Sequence, residues 1–194
     1  MTIESQFDRI HQDTALLLPG ALKDAIRHKM FSVVDELCKF GGIWKDEQTL
    51  HLKVNKTDYD IVPEYGGKIV RLDSVKDMTD APIAASLPFP GVLRMGEAPT
   101  VAYDVVVTTV CTITDPIRND KFPNMPEWLL DQHNDTIKHG IVGYMMLEPS
   151  KPYSNSSLAT YYMRKFRNYI ATARANVEAG HVTSQQNWTF PPFA

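Results

Sequence analysis

The order of hydrophobic patterns along the chain predicts an α+β protein that is mainly helical: an antiparallel helical bundle with an inserted β-rich region and an extended C-terminal tail. Three observations carry that expectation. Apolar residues recur at helical spacing early in the chain and again after residue 126. Between those stretches, residues 43–114 alternate apolar and polar positions and are cut by prolines and glycines. No strand–helix alternation runs through the sequence, which argues against a doubly wound α/β sheet.

Residues 1–18 carry no clear pattern and are expected as an N-terminal arm, ahead of a single domain over 19–180. The first predicted helix, 19–40, places Leu22, Ile26, Met30, Val33, Val34 and Leu37 on one face. Pro19 suits its first turn, and Gly41-Gly42 is a stop signal. In the β-rich region, 43–114, "TLHLKV" and "YDIV" alternate, and the turn "PEYGG" leads to "KIVRLDSV", which reads as a hairpin partner of "YDIV". Residues 79–99 are proline-rich and read as short extended pieces and loops. The strongest strand signal is "TVAYDVVVTTVCTIT", with Val101, Tyr103, Val105, Val107 and Thr109 on one face. Helical period returns over 126–147, where Leu129, His133, Ile137, Ile141 and Tyr144 align, and over 156–179, where Leu158, Tyr162, Phe166, Tyr169, Ile170, Ala173 and Val177 align. Asn155 to Ser157 offer N-caps for the second of these helices. Residues 181–194 form the tail, whose Pro191 and Pro192 disfavour helix.

With 43% hydrophobic and 22% charged residues the chain reads as globular. A net charge of −3 argues against a protein built chiefly to neutralise nucleic-acid phosphates. Cys38 and Cys111 fit no metal or redox spacing and suit buried thiols. The N-terminus lacks a signal-peptide pattern, and no apolar run approaches the roughly 20 residues that span a bilayer, so no membrane partner is expected.

The search for chemistry names no catalytic residue. His133 and His139 are six apart and fall on different helical faces, which does not suit a shared metal. Asp131 and Asp135 lie one turn apart without further ligands, and the glycine pairs lack a dinucleotide or P-loop pattern. No catalytic site, metal or cofactor is expected, and the chain does not read as an enzyme.

Two features suit contact instead. Arg164, Arg167 and Arg174 fall on neighbouring positions of the last helix, either as a solvated face or as a row facing acidic groups of another subunit. The loop "LEPSKPY" holds Pro149, Lys151, Pro152 and Tyr153. It is either a plain antiparallel connection or a stiffened contact loop that orders at low entropic cost.

Several stretches together resemble one family. They are "FSVVDELCKFGGIW", "YDIVPEYGGKIVRLDSV", the paired-helix module from "PEWLLDQHNDTIKHGIVGYMM" through the Lys-Pro-aromatic loop to "RKFRNYIATARANVEAG", and the tail pattern W-x-F-P-x-F. In this order they are similar to the head-to-tail connector (adaptor) proteins of tailed bacteriophages; the first eighteen residues lie outside the resemblance. The resemblance implies a structural virion protein, made in the host cytoplasm and placed in the neck between capsid and tail. It implies a homo-oligomeric ring, commonly of twelve copies, beneath the portal protein and above the next neck or tail protein. Double-stranded DNA would pass through the lumen without sequence-specific binding, and no enzyme activity is implied. Trp188, Phe190, Pro191, Pro192 and Phe193 would then anchor the ring by filling a groove on the portal or an adjacent subunit. The alternatives are another neck or tail-completion protein, such as a stopper or tail terminator, and an enzyme of unrecognised class.

Overall fold

The structure is a computed structural model, and it describes residues 2–114 and 122–178. The chain order is α1 (Ile3–Ala15), α2 (Lys23–Gly41), β1 (Lys45–Leu52), β2 (Asp58–Asp60), β3 (Lys68–Asp77), β4 (Ala85–Phe89), β5 (Val92–Met95), β6 (Tyr103–Thr112), α3 (Glu127–Gln132), α4 (Asn134–Met146) and α5 (Ser156–Glu178). The expectation of a mainly helical bundle is corrected. The described residues are 44% helical and 24% strand, with two three-stranded antiparallel sheets, so the fold is mixed α/β. The physical reason lies in the middle of the chain. Its strands bury Leu52, Tyr59, Ile69, Val75, Leu93, Met95, Val105 and Val107, and so supply a large share of one continuous core.

β6 organises the first sheet, whose order is β1-β6-β3. Its alternation buries Val105, Val107 and Thr109, whereas Val101 and Tyr103 are exposed. Past Thr109 both faces are covered, because α2 packs there: Thr112 Oγ1 donates to Asp35 Oδ1 at 2.8 Å. In the second sheet, β2-β5-β4, β2 comes from the alternating "YDIV" stretch, and β4 and β5 come from the proline-rich stretch expected as short extended pieces and loops. The expected hairpin between 59–62 and 68–75 does not form: β2 pairs with β5, and β3 pairs with β6. The "PEYGG" turn carries the chain from one sheet to the other, close past the Trp44 ring, where a Cβ on Gly67 would meet Trp44 Cη2 at 2.6 Å. The two sheets stay coupled through β3, since Lys76 bridges to Pro82 and Ile83 N–H donates to Val75 O at 2.8 Å.

The helices differ from expectation at three points. Residues 3–15, read as part of an arm, form α1. Phe7 and Ile10 bury one side of it, Lys23 pairs with Asp8 at 2.8 Å, and Lys138 pairs with Asp13 at 3.1 Å. α2 starts at Lys23, with Pro19 in the preceding turn, and stops where Gly42 adopts φ 64° and caps Cys38 O. The segment 126–147 is two helices, broken at His133, whose φ −111° and ψ 16° leave the helical region.

α4 runs between α2 and α5, and small residues set how close it comes. A Cβ on Gly140 would lie 2.6 Å from Val33 Cγ1 and 3.2 Å from Phe166 Cδ2; one on Gly143 would lie 2.8 Å from Met163 Sδ. Gly140→Ala gains about 1 kcal/mol of helix propensity. It also forces a methyl against a branched, fully buried valine, an overpacking that costs about 1–3 kcal/mol. The variant is expected to unfold at lower denaturant concentration than the parent; an equal or higher midpoint would mean the three helices separate without penalty.

Candidate functional site

α5 is 23 residues long, yet only Ala159, Met163 and Phe166 are buried. The buried stripe at i, i+4 and i+7 anchors the first half of the helix to α4 and α2. Beyond it, Tyr169, Ile170, Ala173 and Val177 are half-buried, and the rest of the helix faces outward. The second half of α5 therefore stands as a ridge with a groove on each side.

The larger groove, about 430 Å³, runs between α5 and the α3–α4 corner. Trp128, Gln132 and His133 form one wall, Tyr169, Ala173, Asn176 and Val177 the other, and Ile43 closes one side. Trp128 and His133 are 6.1 Å apart between ring centroids, and His133 and Tyr169 are 5.7 Å apart. The Tyr169 hydroxyl lies 2.8 Å from His133 Nδ1, which ties the helix break to α5. Burial pushes the His133 imidazole below its usual range and the Tyr169 phenol above its own, so both groups are held neutral.

The second groove, about 290 Å³, is lined by Glu36, Phe40, Arg167, Ile170, Ala171 and Arg174. Phe40 is 60% exposed, enough to leave one face of its ring uncovered. Beneath it the Tyr144 hydroxyl donates to Glu36 Oε2 at 2.5 Å; burial and this carboxylate push the phenol up to about 12.

All three arginines singled out in the sequence are exposed. Arg167 and Arg174 share the second groove, while Arg164 does not line it. Arg174 Nε donates to Glu178 Oε1 at 2.7 Å within the helix, an exposed pair that solvent screens.

The 147–155 loop is folded on itself: Ser154 bonds the Glu148 carbonyl, Lys151 N–H donates to Ser154 Oγ at 2.9 Å, and Asn155 N–H donates to Met146 O at 3.0 Å. Tyr153 is buried as its inner peg, so of the candidate contact residues only Pro149, Lys151 and Pro152 reach the surface. Pro152 lies against the α1–α2 turn, where a Cβ on Gly20 would be 3.8 Å from Pro152 Cγ. That turn and this loop leave Leu16, Leu17, Leu22 and Leu147 exposed. Trp188, Phe190, Pro191, Pro192 and Phe193 lie outside the described residues.

Among the described residues no three histidine, cysteine, aspartate or glutamate side chains converge as a metal site, and no helix is long and apolar enough to cross a membrane. Cys38 and Cys111 are both free and buried; burial, reinforced by Asp35, pushes the Cys38 thiol far up. No protein-family model matches the chain, and no curated protein sequence matches it significantly.

Sequence reading placed His133 on the core stripe and did not single out Trp128 or Ile43. The legible signal was the line Tyr169, Ala173, Val177 at four-residue spacing, which marks a second apolar strip beyond the buried one.

The His133 environment predicts a pH dependence. Its folded-state pKa is depressed below 6.5, chiefly by burial, and His139 is depressed in the same direction. The unfolded chain then binds more protons as pH falls below about 6.5, so stability present at pH 7 is lost as pH drops through the folded-state value. Thermal melts should show the midpoint falling between about pH 7 and pH 5, and His133→Gln should flatten part of that fall. An identical slope in the variant would show that the imidazole is not held neutral by the fold.

Proposed function

We propose that this protein is a structural connector of a tailed-phage virion: a ring-forming subunit beneath the portal that joins capsid to tail and leaves a passage for double-stranded DNA. The observation that carries the reading is the bareness of α5. A helix of this length that serves only its own fold buries a continuous apolar stripe. Here the stripe covers the first half, and the second half stands between two open grooves edged by Arg167, Arg174, Phe40 and Trp128. Aromatic residues and arginine are the side chains enriched in protein interfaces.

Further support comes from the exposed leucines of the α1–α2 turn, where Leu16 is 85% and Leu22 76% exposed, and from Val62, Phe89 and Val101 in the strand region. The leucines of the α1–α2 turn lie together with Leu147, and among the described residues they form an exposed apolar patch of the kind that marks interaction sites. In a ring the two flanks of one subunit meet different flanks of its neighbours, a head-to-tail contact that closes by rotation. The Trp188–Phe193 segment supplies an anchor for the portal or an adjacent subunit. Twelve copies is the number the family resemblance brings.

Mass photometry and negative-stain microscopy of the full chain with its cognate portal protein test the reading. Rings seated on portals are expected. Arg167→Glu with Arg174→Glu should weaken ring formation by about tenfold or more, equivalent to about 1.4 kcal/mol, with only a small fall in melting temperature, because both side chains are exposed and only the surface Arg174–Glu178 pair is lost. A monodisperse subunit that ignores the portal would overturn the proposal.

A further inference from the structure

The larger α5 groove has an occupant within reach on its own chain. Its walls include Asn176 and Val177, and the described part of α5 ends at Glu178, so the sixteen residues that follow are tethered at the rim of the groove. Trp188 lies ten positions beyond Glu178. Fully extended, that stretch spans about 33 Å, and as a flexible chain its ends sit roughly 16–19 Å apart. The groove wall from Tyr169 to Val177 covers about 12 Å at 1.5 Å per helical residue. A return into the groove therefore needs no strain, and tethering at this length gives millimolar effective concentration.

The chemistry matches as well as the length. The walls offer the Trp128 and Tyr169 rings and the Ala173, Val177 and Ile43 aliphatic groups, with volume in the range of ordinary ligand pockets. Gln132 and Asn176 stand exposed on opposite walls and supply amide donors and acceptors for an extended backbone. The segment "NWTFPPF" has aromatic rings to fill an apolar trough. Its prolines remove two backbone donors and restrict the chain to extended conformations.

We propose that in the unassembled subunit the Trp188–Phe193 segment occupies the groove between its own α5 and the Trp128–His133 corner. The same aromatics that anchor the ring on assembly are thereby covered in the free subunit, and assembly exchanges one seat for another. The seat itself does not depend on the ring reading; only the exchange does.

Disulfide trapping in the full-length subunit, at concentrations where it is monomeric, tests the seat. Asn176→Cys with Thr189→Cys places thiols on the groove wall and beside the aromatic anchors. Ser156→Cys with Thr189→Cys places the helix thiol about 30 Å further along α5. Native Cys38 and Cys111 are fully buried and do not compete. The groove pair should form an intrachain disulfide at least about tenfold faster than the distant pair. Because sequence proximity alone favours the groove pair, the deciding arm adds Trp188→Ala to it, which should slow trapping about tenfold, the scale of losing one aromatic anchor. Trapping unaffected by Trp188→Ala, or bonds formed between chains, would overturn the proposal. Ring formation on the portal is scored in a separate sample, so failure of the seat and failure of the connector reading give different results.

Discussion

The close approach of α4 to α2 and α5 fixes most of this structure. Gly140 leaves no space for a side chain between Val33 and Phe166, and Gly143 does the same against Met163. With α4 held at that distance, α5 crosses the bundle at its own first half, where Ala159, Met163 and Phe166 are buried. Its second half runs beyond α4, along the Gly41–Gly42 stop of α2, where Ala173 and Val177 meet the chain. The groove by Trp128 is what remains between that extension and the α3–α4 corner.

α2 transmits the same constraint to the strands. One of its faces belongs to the helices and another to β6, through Asp35 and Thr112 and the fully buried Cys38. The sheets are consequently part of the core and not an appendage on a bundle. The buried thiols, the elevated Tyr144 phenol and the neutral His133 are products of this packing. They sit where dehydration is strong, and among the described residues they do not converge on a common reacting centre.

Local periodicity made a definite part of this legible. The apolar spacing of α2, α4, α5 and β6 marks residues that burial honours, from Val33 to Val107, but the ends of those stripes do not follow it: Leu22, Val101, Tyr103 and Leu158 are exposed. What was hidden depends on long-range choices. β2 and β3 were adjacent in sequence with a turn between them, but β6, rich in β-branched residues, took β3, and β2 was left to pair with β5. Prolines in 82–99 signalled loops, yet β4 tolerates Pro88 at the edge of a small sheet. α1 escaped because its apolar positions are few, Phe7 and Ile10, and their value comes from the partners they meet. In the subunit the three arginines and Pro149, Lys151 and Pro152 are exposed, whereas Tyr153 is turned inward, with its hydroxyl donating to Glu148.

The proposed interaction role rests on a helix whose second half is only half-buried, on grooves lined by aromatic and aliphatic side chains, and on leucines left open at the α1–α2 turn. Its central claim is that the second half of α5 becomes an interior surface on assembly. Hydroxyl-radical footprinting of the free subunit and of the portal-bound assembly reads this directly at Phe40, whose exposed ring shares a groove with Arg167, Ile170 and Arg174 of α5. Strong protection of Phe40 on assembly is the predicted result; unchanged modification of Phe40 in a verified assembly would contradict the account.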